Sequence, residues 1–195
     1  MESDKITTIH EHSVMLSLLP DGANILDIGC RGFLFANYFG ERGDKVYPVD
    51  IDNFSGRHYF QCAISDFDGD VFITRSNDPQ ATSISKTLLV SPYMETETVG
   101  SRKLSTFSKF VGVQFWDLIK MDVEGSEYQI IMSLDKAPAK QLSIEFHMHT
   151  GVYGHYEMTL MEDKLKALGY YPAKHEMTSE HGAGKNYWDS LWILK

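Results

Sequence analysis

The sequence has little cysteine: Cys30 and Cys62 are the two in 195 residues. Two cysteines build no disulfide framework, so a reduced, cytoplasmic setting is the expectation. Positive charge is also short. Lys plus Arg number 18 against 27 Asp plus Glu, a formal net charge of −9, and there is no Lys/Arg run. Nucleic acids and anionic membrane surfaces are polyanions, so neither is an expected partner. No stretch approaches the ~18 consecutive apolar residues of a membrane span. Met1-Glu2-Ser3-Asp4-Lys5 is polar and leads into no apolar signal region. Internal repeats and low-complexity tracts are absent.

What is present is ordinary globular usage, 43% hydrophobic and 23% charged. A chain of this length suits one domain and needs no staple to fold. The pattern is strand, turn, helix, repeated. Residues 6–19 read as a leading helix within a segment 1–20 that Pro20-Asp21-Gly22 closes. Asn24–Ile28 reads as a buried strand between Gly22 and Gly29, and Leu34, Phe35, Tyr38 and Phe39 then follow at helical spacing. Lys45–Asp50 and Tyr59–Ile64 read as further strands, with an extra one at Val71–Thr74. Residues 76–99 are polar and without period, a loop or a pair of short strands.

Residues 103–110 read as a short helix, Trp116–Val123 as a strand, and Tyr128 to Leu134 as a helix ending before Pro138. Gln141–His147 is another strand. Met158, Met161, Leu165 and Leu168 form a helical stripe stopped by Gly169, and 171–176 and 187–194 read as two closing strands. Strands alternating with helices predict an α/β domain with a mostly parallel sheet covered on both faces. Ligands of such sheets bind outside the carboxyl ends of the strands. Four predicted strand ends carry acids: Asp27, Asp50, Asp122 with Glu124, and Glu145.

The first strand runs into Asp27-Ile28-Gly29-Cys30-Arg31-Gly32. Glycine there lets a ligand approach the backbone and lets the chain turn into a helix. Asp50 ends the next strand, where an acid can accept both hydroxyls of a ribose. The pair points to a nucleoside-containing cofactor. The dinucleotide fingerprint G-x-G-x-x-G is missing, since the glycine after Gly29 is Gly32. An acid at Asp27 suits a cationic ammonium better than a pyrophosphate. The D-x-G turn with a second-strand acid resembles Rossmann-like methyltransferases that use S-adenosylmethionine. The plain alternative for Asp27 and Gly29 is a strand-to-helix turn without a ligand.

Asp117-Leu118-Ile119-Lys120-Met121-Asp122-Val123-Glu124-Gly125-Ser126-Glu127 resembles the signature of the FkbM family of methyltransferases. Four charged residues gathered at one strand exit are costly to bury unpaired, so a purely structural segment has no need of them. Ile25–Gly32, Val46–Asp52, Ala63-Ile64-Ser65 with Gly69, Leu104–Phe107 and Ile144–His147 fall in the family's order. The resemblance spans about residues 23–150. It implies a Rossmann-like methyltransferase fold: a mostly parallel seven-stranded sheet, helices on both faces and an antiparallel last strand. It also implies S-adenosylmethionine held by Asp27, Gly29, Cys30, Arg31, Gly32, Asp50, Ile51, Ala63, Ile64 and Asp122. Two features depart from the pattern. The glycine turn is one residue shorter than D-x-G-x-x-x-G and carries Arg31, and Pro48 lies inside the second strand, where it removes a ladder donor.

The resemblance implies O-methylation of a small molecule or a glycan. A hydroxyl acceptor must lose its proton, and Asp122, Glu124, Glu145 and His147 are the candidate catalytic residues, with His149 beyond them. His147-Met148-His149 with Glu145 and Asp122 also admits a metal. The simpler reading, taken forward as the expectation, is a wet cleft without one. Cys30 reads as a small turn residue, and His155, His175 and His181 as surface or loop. The Asn/Asp-Pro-Pro-aromatic motif of amino-directed DNA methyltransferases is absent, since Asp122-Val123-Glu124-Gly125 stands in its place. Ser83, Ser85 and Tyr93 make 76–99 a candidate substrate lid, a plain surface excursion being the alternative. A nicotinamide-dependent oxidoreductase and a non-catalytic cofactor-binding module remain as rivals.

Overall fold

The computed structural model describes residues 5–75, 82–85, 96–148, 154–181 and 185–195. In chain order the strands begin with β1 (Ile6–Ile9), β2 (His12–Met15), β3 (Asn24–Ile28) and β4 (Lys45–Asp50). They continue with β5 (Phe60–Gln61), β6 (Ala63–Ser65), β7 (Gly69–Arg75), β8 (Thr82–Ser85) and β9 (Thr96–Lys103). The last are β10 (Trp116–Met121), β11 (Ala139–Met148), β12 (Tyr170–His181) and β13 (Lys185–Leu194). The helices are α1 (Leu34–Arg42), α2 (Leu104–Val111), α3 (Glu127–Met132) and α4 (His155–Ala167).

The main sheet has seven strands in the order β12-β13-β11-β10-β3-β4-β5. Pairing from β5 through β11 is parallel, and β13 is antiparallel to both of its neighbours. This is the expected sheet with its reversed strand. β3 and β10 lie at its centre and are buried almost throughout, as strands covered on both faces must be. One face packs Leu26, Ile119, Ile144 and Phe146 under Phe107, Ile130, Met161 and Leu165 of α2, α3 and α4. The other packs Ile25 and Leu118 under Phe35 and Phe39 of α1 and Ile9 and Val14 near the amino terminus. α1 stops at Gly43, whose left-handed φ of 93° lets its N–H reach the carbonyls of Phe39 and Gly40.

Three expectations are corrected. The predicted leading helix is a hairpin, β1 paired antiparallel to β2, followed by a short 3-10 turn at Leu16–Leu18. Ile6-Thr7-Thr8-Ile9 is rich in β-branched residues, which favour a pleated strand. His10 and Glu11, with φ of 44° and 73°, make the two-residue turn that is usually written with glycine or asparagine. Tyr59–Ile64 is not one strand. β5 pairs with β4 only at Val49 and Asp50, just past Pro48, and β6 leaves for a second sheet of order β6-β9-β7-β8. That sheet takes in part of 76–99 as β8 and the start of β9. Residues 76–81 and 86–95, with Tyr93, lie outside the described residues, as does His149. His175 lies in β12 rather than a loop and is partly buried: it stacks on Trp188 at 4.9 Å and bonds Ser190. No described helix is long and apolar enough to cross a membrane.

Candidate active site

The carboxyl ends of β3, β4 and β10 surround an open cleft. Of the residues expected at a cofactor, Gly29, Arg31, Asp50, Ile51, Ala63, Ile64 and Asp122 line it. Gly29 has a φ of 77°, and a Cβ there would stand 1.8 Å from the carbonyl oxygen of Asp122. Only glycine lets the β3 exit pass that close to the β10 exit. The turn is tied down by the N–H groups of Gly29 and Cys30, which both donate to the Val49 carbonyl. Asp50 is 8% exposed and accepts from the Asp52 N–H at 2.9 Å. Burial raises its carboxyl above the ordinary aspartate range.

Asp27, Cys30 and Gly32 do not line this cleft. Asp27 is fully buried beside Lys120, whose Nζ lies 3.4 Å from its Oδ1 and 3.3 Å from Asp122 Oδ2 and donates to the Gly29 carbonyl at 2.6 Å. Burial raises the Asp27 carboxyl, partly offset by Lys120. Burial opposes the charge of Asp122 too, but there the Lys120 ammonium prevails and holds the carboxyl well below the usual range. Cys30 is 2% exposed, and burial pushes its thiol far up, which makes it an inert turn residue. Asp27 and Cys30 line a neighbouring cavity walled by His10, Glu11 and His12 of the hairpin. Gly32 is exposed.

The four candidate catalytic residues converge. His147 is 1% exposed, and its Nε2 lies 3.5 Å from Asp122 Oδ1, 3.6 Å from Glu124 Oε2 and 3.5 Å from Glu145 Oε2. Its Nδ1 contacts Glu127 Oε1 at 2.8 Å. Burial works against a charged imidazole, but Glu127, Glu124 and Asp122 outweigh it and push His147 up to about 10. Burial, aided by the negative charge of Asp122, raises Glu145 to about 7. The three carboxylates around its Nε2 therefore favour a protonated ring. Glu124 takes a left-handed φ of 50°, uncommon for a residue with a side chain, and this bends the β10 exit toward His147.

Sequence reasoning assigned no role to Asp52, Val123 and Ser126, which also line the cleft, or to Glu127 and His12. Glu127 is fully buried and also accepts the Gly125 N–H at 3.2 Å. Its place at the end of the signature was visible, but its partner 20 residues on was not. His12 reaches Asp122 Oδ2 at 3.7 Å from a hairpin that reads as a helix. The loop after β4 is held by Tyr59, whose hydroxyl donates to the Asp52 carbonyl and accepts the Phe54 N–H. Phe33 packs edge-on against Phe54 and Tyr59.

No curated protein matches the sequence. Solved structures that resemble the chain include the 1,6-didemethyltoxoflavin-N1-methyltransferase of Burkholderia thailandensis with bound 1,6-didemethyltoxoflavin and S-adenosylhomocysteine. It is 14% identical, with 89% of this chain and 71% of that chain covered at a TM-score of 0.46. TrmK of M. capricolum, in complex with S-adenosylhomocysteine, is 13% identical over 92% of this chain and 65% of that one, at 0.45. The magnesium protoporphyrin IX methyltransferase of Synechocystis with bound SAM is 16% identical over 91% and 72%, at 0.42. These scores are too low to assign relationship, so the assignment rests on the sequence. The family model described as "Methyltransferase FkbM domain" matches residues 33–172, well over half the chain, beginning just after the glycine turn and including Asp50, Asp122, Glu124, Glu127, Glu145 and His147, and the chain belongs to that family of methyltransferases.

Proposed function

We propose that the chain is an S-adenosylmethionine-dependent O-methyltransferase acting on a hydroxyl of a small molecule or a glycan. The observation that carries this reading is the adjacency of two features: a cleft lined by bare backbone at Gly29, the acid Asp50 and apolar side chains, and a carboxylate cluster beside it, joined through Asp122. The residues present fit the cofactor. Bare backbone at Gly29 and the carboxylate of Asp50 share one wall with apolar Ile51, Ala63 and Ile64. Asp50 would accept the ribose hydroxyls, and the apolar side chains would take the base.

When bound, the cofactor supplies a methyl carbon attached to a positively charged sulfur. The chain's own residues then have two tasks. The first is to hold the acceptor oxygen in line with that carbon at ~3–3.5 Å, where most of the rate gain in such a displacement arises. The second is to take the hydroxyl proton as the new carbon–oxygen bond forms. Asp122 and Glu124 line the cleft, and Glu145, whose carboxyl burial raises to about 7, stands beside them across His147 as the best suited of the three for this. The test is transfer of a labelled methyl group to a panel of hydroxylated acceptors and glycans. The reading expects label in an ether product and a loss of about 10²-fold or more when Glu145 is changed to Gln. Label found only on nitrogen or carbon acceptors would overturn O-methylation while leaving methyl transfer standing.

A further inference from the structure

The carboxylate–histidine cluster has a second chemical reading that is independent of methyl transfer. Asp122, Glu124 and His147 each offer one ligand atom, and these atoms lie within 4.8 Å of one another. The imidazole nitrogen stands 3.5–3.6 Å from the nearest carboxylate oxygens. That is longer than a good hydrogen bond. It matches the ~3.4 Å edge between ligands that each sit about 2.1 Å from one central ion. We propose that Asp122, Glu124 and His147 form a binding site for a divalent transition-metal cation, with Glu145 as an additional oxygen donor.

Two further observations support the site. His147 is 1% exposed and has its far nitrogen on the fully buried Glu127 at 2.8 Å. A buried carboxylate behind a histidine, fixing the ring while its other nitrogen faces the ion, is the usual support of a metal-binding imidazole. His12, 5% exposed, turns its Nε2 toward Asp122, while its Nδ1 has no hydrogen-bond partner among the described residues. The ring is thus aimed at the cluster with donor capacity to spare. One imidazole with several carboxylates is a donor set for manganese or zinc rather than for a thiolate-seeking ion.

The probe is manganese(II), titrated into the intact chain without cofactor or acceptor and followed by the loss of the free-ion paramagnetic resonance signal. One ion per chain is expected, displaced by zinc. Glu124→Gln, at a partly exposed side chain, should weaken binding at least about tenfold, and Glu127→Gln should do so by roughly 10–100-fold through the ring. Circular dichroism shows that each variant is folded before it is compared. Absence of manganese and zinc binding at millimolar ion, or binding unchanged in Glu124→Gln, overturns the site. Because the titration contains no cofactor, neither outcome bears on methyl transfer.

Discussion

At the residue scale the account depends most on Gly29. Its left-handed φ and the Asp122 carbonyl in the path of any Cβ leave no side chain an unstrained fit. Gly29→Ala should therefore destabilise the fold by on the order of 3 kcal/mol or more. In a chain of this size that lowers the melting temperature by roughly 6–12 °C. Gly32 has nearly the same φ, 76°, but open space around it, so Gly32→Ala should cost only about 1 kcal/mol. Thermal melts of the two variants compare close approach with backbone preference directly. Equal losses would mean that the Gly29–Asp122 approach is not tight. Gly29 and Asp50 were legible because glycine and an acid at strand exits have few other uses. The indifference of Gly32 and the burial of Asp27 were not, because exposure depends on neighbours the local sequence does not name.

At the scale of elements, the parallel strands other than β5 and their helices follow from apolar runs and stop signals, and β3, β4, β10, β11, α2 and α3 stand within a residue or two of their expected bounds. The amino-terminal hairpin did not follow. Its buried β2 lacks alternation, since all four of its residues are covered, and its turn carries His10-Glu11 in place of a turn signature. What holds the hairpin is tertiary. Ser13 donates its N–H and Oγ to Asp189, which also accepts Lys174 Nζ at 2.8 Å, and Gln141 bonds the backbone of Met15 at both ends. Asp189 is 3% exposed and Lys174 is about a fifth exposed, so removing the acid takes a shared buried acceptor from Ser13 and Lys174 and leaves the cation only the Ser13 hydroxyl at 3.0 Å and Glu176 at 3.9 Å. Asp189→Ala should cost roughly 2–4 kcal/mol in urea unfolding. A change under about 0.5 kcal/mol would show that the hairpin is held by its apolar contacts alone.

At the scale of the whole molecule, the small sheet β6-β9-β7-β8 is the largest feature the sequence concealed. β6 and β7 fall in segments that read as strands, but β8 and the start of β9 come from a polar stretch in which no single period dominates, and the partner of both β6 and β7 is the distant β9. It is joined to the main body by Asp68, which accepts from the Lys103 N–H and the Thr106 hydroxyl at the start of α2. The net charge of −9 acquires a partial location. Asp27, Asp50, Asp122, Glu124, Glu127 and Glu145 gather at one end of the main sheet, with Lys120 as the buried lysine among them. Such a field favours cationic ligands, a sulfonium in the cleft and a metal ion at the cluster alike.

The central claim is that this cleft binds the methyl donor through Asp50. The most direct measurement is calorimetric titration of S-adenosylhomocysteine into the purified chain and into Asp50→Ala. The account predicts one site per chain, with affinity at least about tenfold weaker in the variant, as the loss of charge-assisted hydrogen bonds to two hydroxyls requires. No binding of S-adenosylhomocysteine at millimolar concentration, or equal affinity for the two proteins, would contradict it.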